Sequence, residues 1–240
     1  KEITDYSPVT QERLNKADPS DWLLPKGNYQ GWMYSALKQV TTENVAQLKP
    51  VWVYSTGLDS GHQAPPMVND GVMFVSTPYN HVLALDARTG NLYWRYKHDN
   101  PADLGVMHNT SRGVALWQDR VYAAGLDGTL NALDAKTGKR LCQARIGDWE
   151  IGAYITTAPM PIEGKILVGP SGGEYGVRGF LEAMDADDCQ QAWRTYSVPG
   201  PGEPGHETWL PEGPRPDAWK YGGGSMWVPG NYDPEARRLY

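Results

Sequence analysis

Phenylalanine is nearly missing from this chain of 240 residues: there are 2, beside 10 Trp and 14 Tyr. That imbalance, with 27 Gly and 19 Pro, speaks against a helix-rich fold. It fits short strands, tight turns and indoles used as wedges. An excess of positive charge is lacking too. Lys and Arg number 22 against 28 Asp and Glu, a formal net charge of −6, which argues against phosphate backbones and anionic lipid surfaces as partners. No stretch reaches the roughly 18 to 20 apolar residues that cross a bilayer, so no membrane span is expected. Nor does an apolar leader open the chain, since the segment from Lys1 is polar. This fits a cytosolic protein or a sequence starting at a mature N-terminus. The 2 Cys do not choose between these by number alone. The length suits one large domain or two small ones.

What is present is a repeat. Ala84-Leu85-Asp86-Ala87-Arg88-Thr89-Gly90 is closed by Trp94. Ala132-Leu133-Asp134-Ala135-Lys136-Thr137-Gly138 is followed by Cys142 at the closing position, and Ala183-Met184-Asp185-Ala186-Asp187-Asp188-Cys189 is closed by Trp193. The motif alanines are 48 and 51 residues apart. Each unit reads as a hairpin. An apolar strand meets an Asp whose carboxylate accepts backbone N–H groups in the turn, and Gly supplies a positive φ. An earlier apolar segment precedes each motif: Val72 to Val75, Arg120 to Ala123 and Lys165 to Val168.

About four strands per fifty residues is the signature of a β-propeller blade. A β-sandwich with similar hairpins is the alternative, and the matched Ala, Asp and closing aromatic favour the propeller. The expected organisation is one all-β domain over residues 1–240: a leading segment over 1–50, then about four blades over 51–240. The last blade is incomplete, because Asn231 to Tyr240 looks like a turn entering a new strand. The chain is therefore expected to be a piece of a longer polypeptide.

The repeat Ala-x-Asp-x-x-Thr-Gly-x-x-x-Trp resembles the tryptophan-docking motif of the methanol and ethanol dehydrogenases that use pyrroloquinoline quinone (PQQ). Asn28-Tyr29, Tyr34-Ser35, Gln39-Val40-Thr41, Val51-Trp52 and Thr56-Gly57 resemble that family's N-terminal segment. Ser171-Gly172-Gly173-Glu174-Tyr175-Gly176-Val177-Arg178-Gly179 resembles its metal-site loop. Trp219 to Trp227, with Gly222-Gly223-Gly224, resembles the segment beneath its cofactor. The resemblance runs through essentially the whole chain in order. It implies an eight-bladed propeller of which this chain supplies roughly the first half, with PQQ on the axis and a metal at its edge.

Roles follow residue by residue from that resemblance. Trp227 is the stacking plane, after a glycine run that allows close backbone approach; packing between blades is its plainer reading. Arg112 matches the Arg beside the quinone, where a guanidinium holds an anionic oxygen; otherwise it is a surface ion-pair partner. Thr156, with Thr157 beside it, and Ser171, Gly172 and Gly173 match contacts to the cofactor carboxylates. Glu174 matches the metal ligand, a hard carboxylate suited to Ca²⁺ or a lanthanide. Gln63 stands where the family often carries Glu. Val106 and Met107 stand where the family usually has two adjacent Cys, so an apolar surface would cover one face of the cofactor there.

In the family, the closing Trp of one motif packs on the Thr-Gly peptide of the next. Here the second unit has Cys142 for Trp and the third has Cys189 for Gly, two departures at positions that should touch. The resemblance therefore implies a Cys142–Cys189 disulfide, which points to an oxidising compartment such as the periplasm; two unrelated buried thiols are the alternative.

The implied function is oxidation of an alcohol to a carbonyl, with electrons passed to a c-type cytochrome. The base, an Asp, and the remaining metal ligands are expected outside these residues. A quinoprotein acting on sugars or polyols, and a non-catalytic propeller scaffold, remain the alternatives.

Overall fold

The computed structural model describes residues 2–209 and 212–240. Its organising feature is three successive four-stranded antiparallel sheets, followed by a two-stranded hairpin. Blade I contains β1 (Met67–Asn69), β2 (Val72–Ser76), β3 (Val82–Asp86) and β4 (Leu92–Tyr96). Blade II contains β5 (Ala115–Trp117), β6 (Arg120–Ala124), β7 (Thr129–Asp134) and β8 (Arg140–Arg145). Blade III contains β9 (Met160–Ile162), β10 (Lys165–Val168), β11 (Phe180–Asp185) and β12 (Gln191–Tyr196), and the hairpin pairs β13 (Tyr232–Asp233) with β14 (Arg238–Leu239). Strands pair in chain order within each sheet. Burial falls from the first strand to the last: β5 is wholly buried while alternate residues of β8 are exposed. The first strands β5 and β9 touch across sheets, so they line the inner side of the ring.

The repeat acts as the Asp and Gly chemistry requires. Asp86 Oδ1 accepts from the backbone N–H of Arg88 (2.9 Å) and Thr89 (3.0 Å). Asp134 does so for Thr137 (2.8 Å), and Asp185 for Asp187 (2.9 Å). Each motif alanine is fully buried and lies opposite the closing residue: Ala84 against Trp94, Ala132 against Cys142, Ala183 against Trp193. A register shift follows each of those alanines, the same bulge three times over.

Blades are joined at these turns. Trp94 donates Nε1–H to the Ala135 carbonyl at 3.0 Å, and its ring lies where a Cβ on Gly138 would come within 2.5 Å. Trp52 does the same one blade earlier, with a 3.1 Å bond to the Ala87 carbonyl and its ring over Gly90. Between blades II and III, Cys142 and Cys189 form a disulfide with Cα atoms 6.2 Å apart. Cys189 occupies the glycine place of the turn, with φ +60°. Any side chain there fills the space an indole needs, so a Trp at 142 and a residue other than Gly at 189 are sterically exclusive.

A strap formed by residues 3–29, with the short helix α1 (Gln11–Asn15), crosses the turns between the first two strands of blades I, II and III and reaches β13. Ser7 N–H reaches Asp70 (2.6 Å), Val9 pairs with Gln118, Glu163 N–H reaches Gln11 (2.7 Å), and Tyr232 N–H reaches the Tyr29 carbonyl (3.0 Å). Ile3, Val9, Leu14, Leu23 and Leu24 are buried beneath it. No helix among the described residues is long and apolar enough to cross a membrane.

Candidate functional site

Antiparallel order places the connections at two ends of the ring. The turns joining first to second and third to fourth strands lie at one end, with the docking tryptophans, the disulfide and the strap. The loops joining second to third strands, and one blade to the next, lie at the other. Every candidate cofactor residue falls on loops of this second end. Arg112 precedes β5, Thr156 precedes β9, Ser171 to Glu174 join β10 to β11, and Trp227 precedes β13.

Four of these loops meet. The Arg112 guanidinium donates through Nη1 to Thr156 Oγ1, and the two backbones are joined by Arg112 N–H to the Thr156 carbonyl at 3.0 Å. Thr156 Oγ1 lies 2.6 Å from Ser171 Oγ. The Arg112 guanidinium carbon sits 4.6 Å from the centroid of the Trp227 ring, a cation–π contact. Thr156 and Ser171 are buried, whereas Trp227 remains 46% exposed, which leaves indole surface for a flat partner. Burial pulls the Arg112 pKa below the usual guanidinium value, yet the group stays charged.

The Ser171 loop is shaped by its glycines. Gly172 adopts φ +85°, and a Cβ there would lie 1.7 Å from the Gly152 carbonyl oxygen. A Cβ on Gly173 would meet Ser225 Oγ at 3.0 Å. The Gly-rich segment runs alongside this loop, with Gly179 N–H to the Gly223 carbonyl (2.7 Å) and Gly223 N–H to the Val177 carbonyl (3.0 Å). Thus the loop with Glu174 and the segment with Trp227 form one backbone-bonded unit.

Glu174 is exposed, and its Oε1 accepts from the Tyr154 hydroxyl at 2.8 Å. Tyr154 is buried, and burial together with the Glu174 carboxylate raises its pKa. No motif marks Tyr154, although it stands two residues before Thr156 and so shares its face in extended backbone. Trp52 lies in the N-terminal segment, outside the repeated motifs, and its docking role comes from its ring over Gly90.

Other candidates stand apart. Thr157 turns its hydroxyl to the Ala158 carbonyl (3.2 Å). Gln63 and Met107 are exposed and Val106 is half-buried. No hydrogen bond, ion pair or ring contact ties these three to the Arg112–Trp227 cluster among the described residues. Their loops do approach it: Thr110 donates to the Gly61 carbonyl at 3.3 Å, and a Cβ on Gly113 would lie 3.7 Å from Pro65. Among the described residues no three His, Cys, Asp or Glu side chains converge.

The donor set suits a flat polyanion beside a hard cation. It comprises an indole face, a guanidinium, two hydroxyls, a loop that tolerates no Cβ at Gly172, and a carboxylate for Ca²⁺ or a larger trivalent ion. Fold and site together define a β-propeller of the quinoprotein class. Residues 22–240 match the family described as "PQQ: Glucose/ethanol/alcohol dehydrogenase, beta-propeller domain", and the chain belongs to that family.

Among curated relatives, quinohemoprotein alcohol dehydrogenase ADH-IIG of Pseudomonas putida is 39% identical over 97% of this chain and 34% of its own length. Methanol dehydrogenase [cytochrome c] subunit 1 of Methylobacterium organophilum is 37% identical over 95% of this chain and 40% of its own. The solved ADHIIG structure from Pseudomonas putida HK5 matches with a TM-score of 0.88 at 37% identity, covering 97% of this chain and 36% of that one. A europium-containing methanol dehydrogenase matches with a TM-score of 0.82 at 34% identity, covering 93% and 42%. The chain thus spans about a third of the length of the relatives it matches, 34% and 40% in the two named above.

Proposed function

We propose that this chain is the first part of an eight-bladed quinoprotein propeller that oxidises an alcohol to a carbonyl, using PQQ with Ca²⁺ or a lanthanide and passing electrons to a c-type cytochrome. The observation that carries this reading is the junction of Arg112, Thr156, Ser171 and Trp227 beside the Glu174 loop. When bound, PQQ supplies a two-electron quinone that accepts the hydride of a CH–OH carbon, and the cation supplies a Lewis acid.

Within that scheme Trp227 stacks on the cofactor plane. Arg112 holds an anionic oxygen, and its fork is kept in place by Thr156. Ser171, Gly172 and Gly173 bind a carboxylate, and Glu174 contributes an oxygen to the cation. Val106 and Met107 would supply an apolar cover for the cofactor, and the Gln63 amide would hydrogen-bond it. The hydroxyl proton would go to an Asp of the complete polypeptide, as the family resemblance implies. The Cys142–Cys189 disulfide supports a periplasmic location.

The test is alcohol-driven reduction of an artificial dye by the complete natural polypeptide, with and without PQQ plus Ca²⁺ or La³⁺. Activity that requires both PQQ and a cation supports the proposal. Preference for sugars or polyols over simple alcohols reassigns the substrate class. Folded protein that binds no PQQ and oxidises neither would reduce the function to that of a scaffold.

A further inference from the structure

We propose that Tyr154 is a positioning residue for the cation, fixing the carboxylate of Glu174 through its phenol. The inference rests on the reading of Glu174 as a cation ligand.

Glu174 sits at the exposed edge of a loop, where an unrestrained side chain samples several rotamers. One contact restrains it, the Tyr154 hydroxyl donating to Oε1 at 2.8 Å. Oε2 accepts no hydrogen bond among the described residues and stays available to a cation. Tyr154 itself has little freedom. It is buried at 3% exposure, its Cε1 lies 3.5 Å from where a Cβ on Gly172 would be, and its ring is edge-on to Tyr175 with centroids 6.1 Å apart. Its carbonyl also accepts from Ser171 N–H at 2.8 Å. Backbone and side chain of one residue thus grip both ends of the Ser171–Glu174 stretch.

The choice of donor matters chemically. A guanidinium on Glu174 would cancel the charge that a cation needs. Arg112 instead spends its Nη1 on Thr156, and a neutral phenol holds the carboxylate. An outer partner that orients a ligand in this way typically changes metal affinity 10- to 100-fold when removed.

The experiment titrates Ca²⁺, and separately La³⁺, into the PQQ-loaded complete polypeptide by calorimetry, comparing wild type, Tyr154→Phe, Glu174→Gln and the double variant. Tyr154→Phe is expected to weaken the cation at least about tenfold while unfolding at the wild-type temperature. Its dye-reducing activity should return at saturating Ca²⁺ with KM for the alcohol unchanged. The double variant should lose no more than Glu174→Gln alone. Should the Phe variant not fold, Tyr154→p-aminophenylalanine keeps the ring and places an N–H donor at the para position; an affinity close to wild type is expected, and a loss as large as that of Glu174→Gln counts against the phenol's role. Unchanged affinity in Tyr154→Phe, or an equal loss on the Glu174→Gln background, overturns the positioning role and leaves the proposed function standing. A wild-type protein that takes up neither PQQ nor cation overturns both.

Discussion

A methyl group at position 172 has nowhere to go, because a Cβ there would lie 1.7 Å from the Gly152 carbonyl oxygen while φ is +85°. Gly172→Ala should therefore cost about 1–3 kcal/mol in strain and displace the loop that carries Ser171 and Glu174. Urea unfolding of the complete polypeptide, with bound PQQ counted by absorbance, checks both effects; full PQQ occupancy at wild-type stability would refute them. Arg112 is a sharper case. It uses a planar guanidinium in two ways, donating to Thr156 and lying over Trp227 at 4.6 Å. An ammonium supplies charge without the plane. Arg112→Lys should weaken PQQ about 10- to 100-fold, the size of one hydrogen bond to a charged group, read by quenching of tryptophan fluorescence. Unchanged affinity would remove Arg112 from the cofactor site.

At the scale of elements, two solutions to one joint stand side by side. Between blades I and II a tryptophan lies on a glycine, and between blades II and III a disulfide takes its place. Trp94 is 9% exposed, and truncating such a side chain to Ala costs about 3–5 kcal/mol. The 47-residue separation of Cys142 and Cys189 corresponds to about 4 kcal/mol of chain entropy. Reduction should therefore destabilise the protein by about that amount, seen as a lower urea midpoint. The pair Cys142→Trp with Cys189→Gly should recover much of the loss under reducing conditions. A protein indifferent to reductant would show that the staple carries no stability.

The turn carboxylates belong to the same scale. Asp185 is held below its ordinary pKa by the Asp187 backbone N–H and by Lys165. A depressed folded pKa contributes stability that is complete above the unfolded value of about 3.9 and vanishes as pH falls through the folded value. Asp185→Asn should cost under about 1 kcal/mol near pH 7, because the pair is partly solvated. The gap from wild type should close as pH drops below about 4. Unfolding curves across that range decide it, and a gap that persists at low pH would point to turn geometry instead of charge.

For the whole molecule, several large apolar side chains stand uncovered. Val51 and Val53 are 86% and 87% exposed, and Trp193 is 43% exposed on the outer strand of blade III. These 240 residues alone should bind the dye anilinonaphthalene sulfonate, and the complete polypeptide should bind much less, since large apolar patches seek cover. Equal dye binding by the two would mean that this surface stays open in the full ring.

The blades were legible in the chain because their signals are local. An Asp that closes its own turn, a Gly at positive φ and alternating apolar strands lie within about ten residues of one another, and their repetition multiplies the signal. The disulfide was legible only through the family's docking geometry, as paired departures from a repeated pattern. Of the site, Arg112, Thr156, Ser171, Glu174 and Trp227 could be named from resemblance, but nothing along the chain places Tyr154 on Glu174 or Trp52 on Gly90. Those contacts depend on which loops share an end of the ring and on how far one blade rotates against the next. The sequence by itself determined the blade, its turns and the chemical kinds of side chain at the candidate cofactor loops, since backbone preference and period act over neighbouring residues. Only the tertiary structure decided which of those side chains meet, because that is settled by packing between blades whose residues lie far apart in the chain.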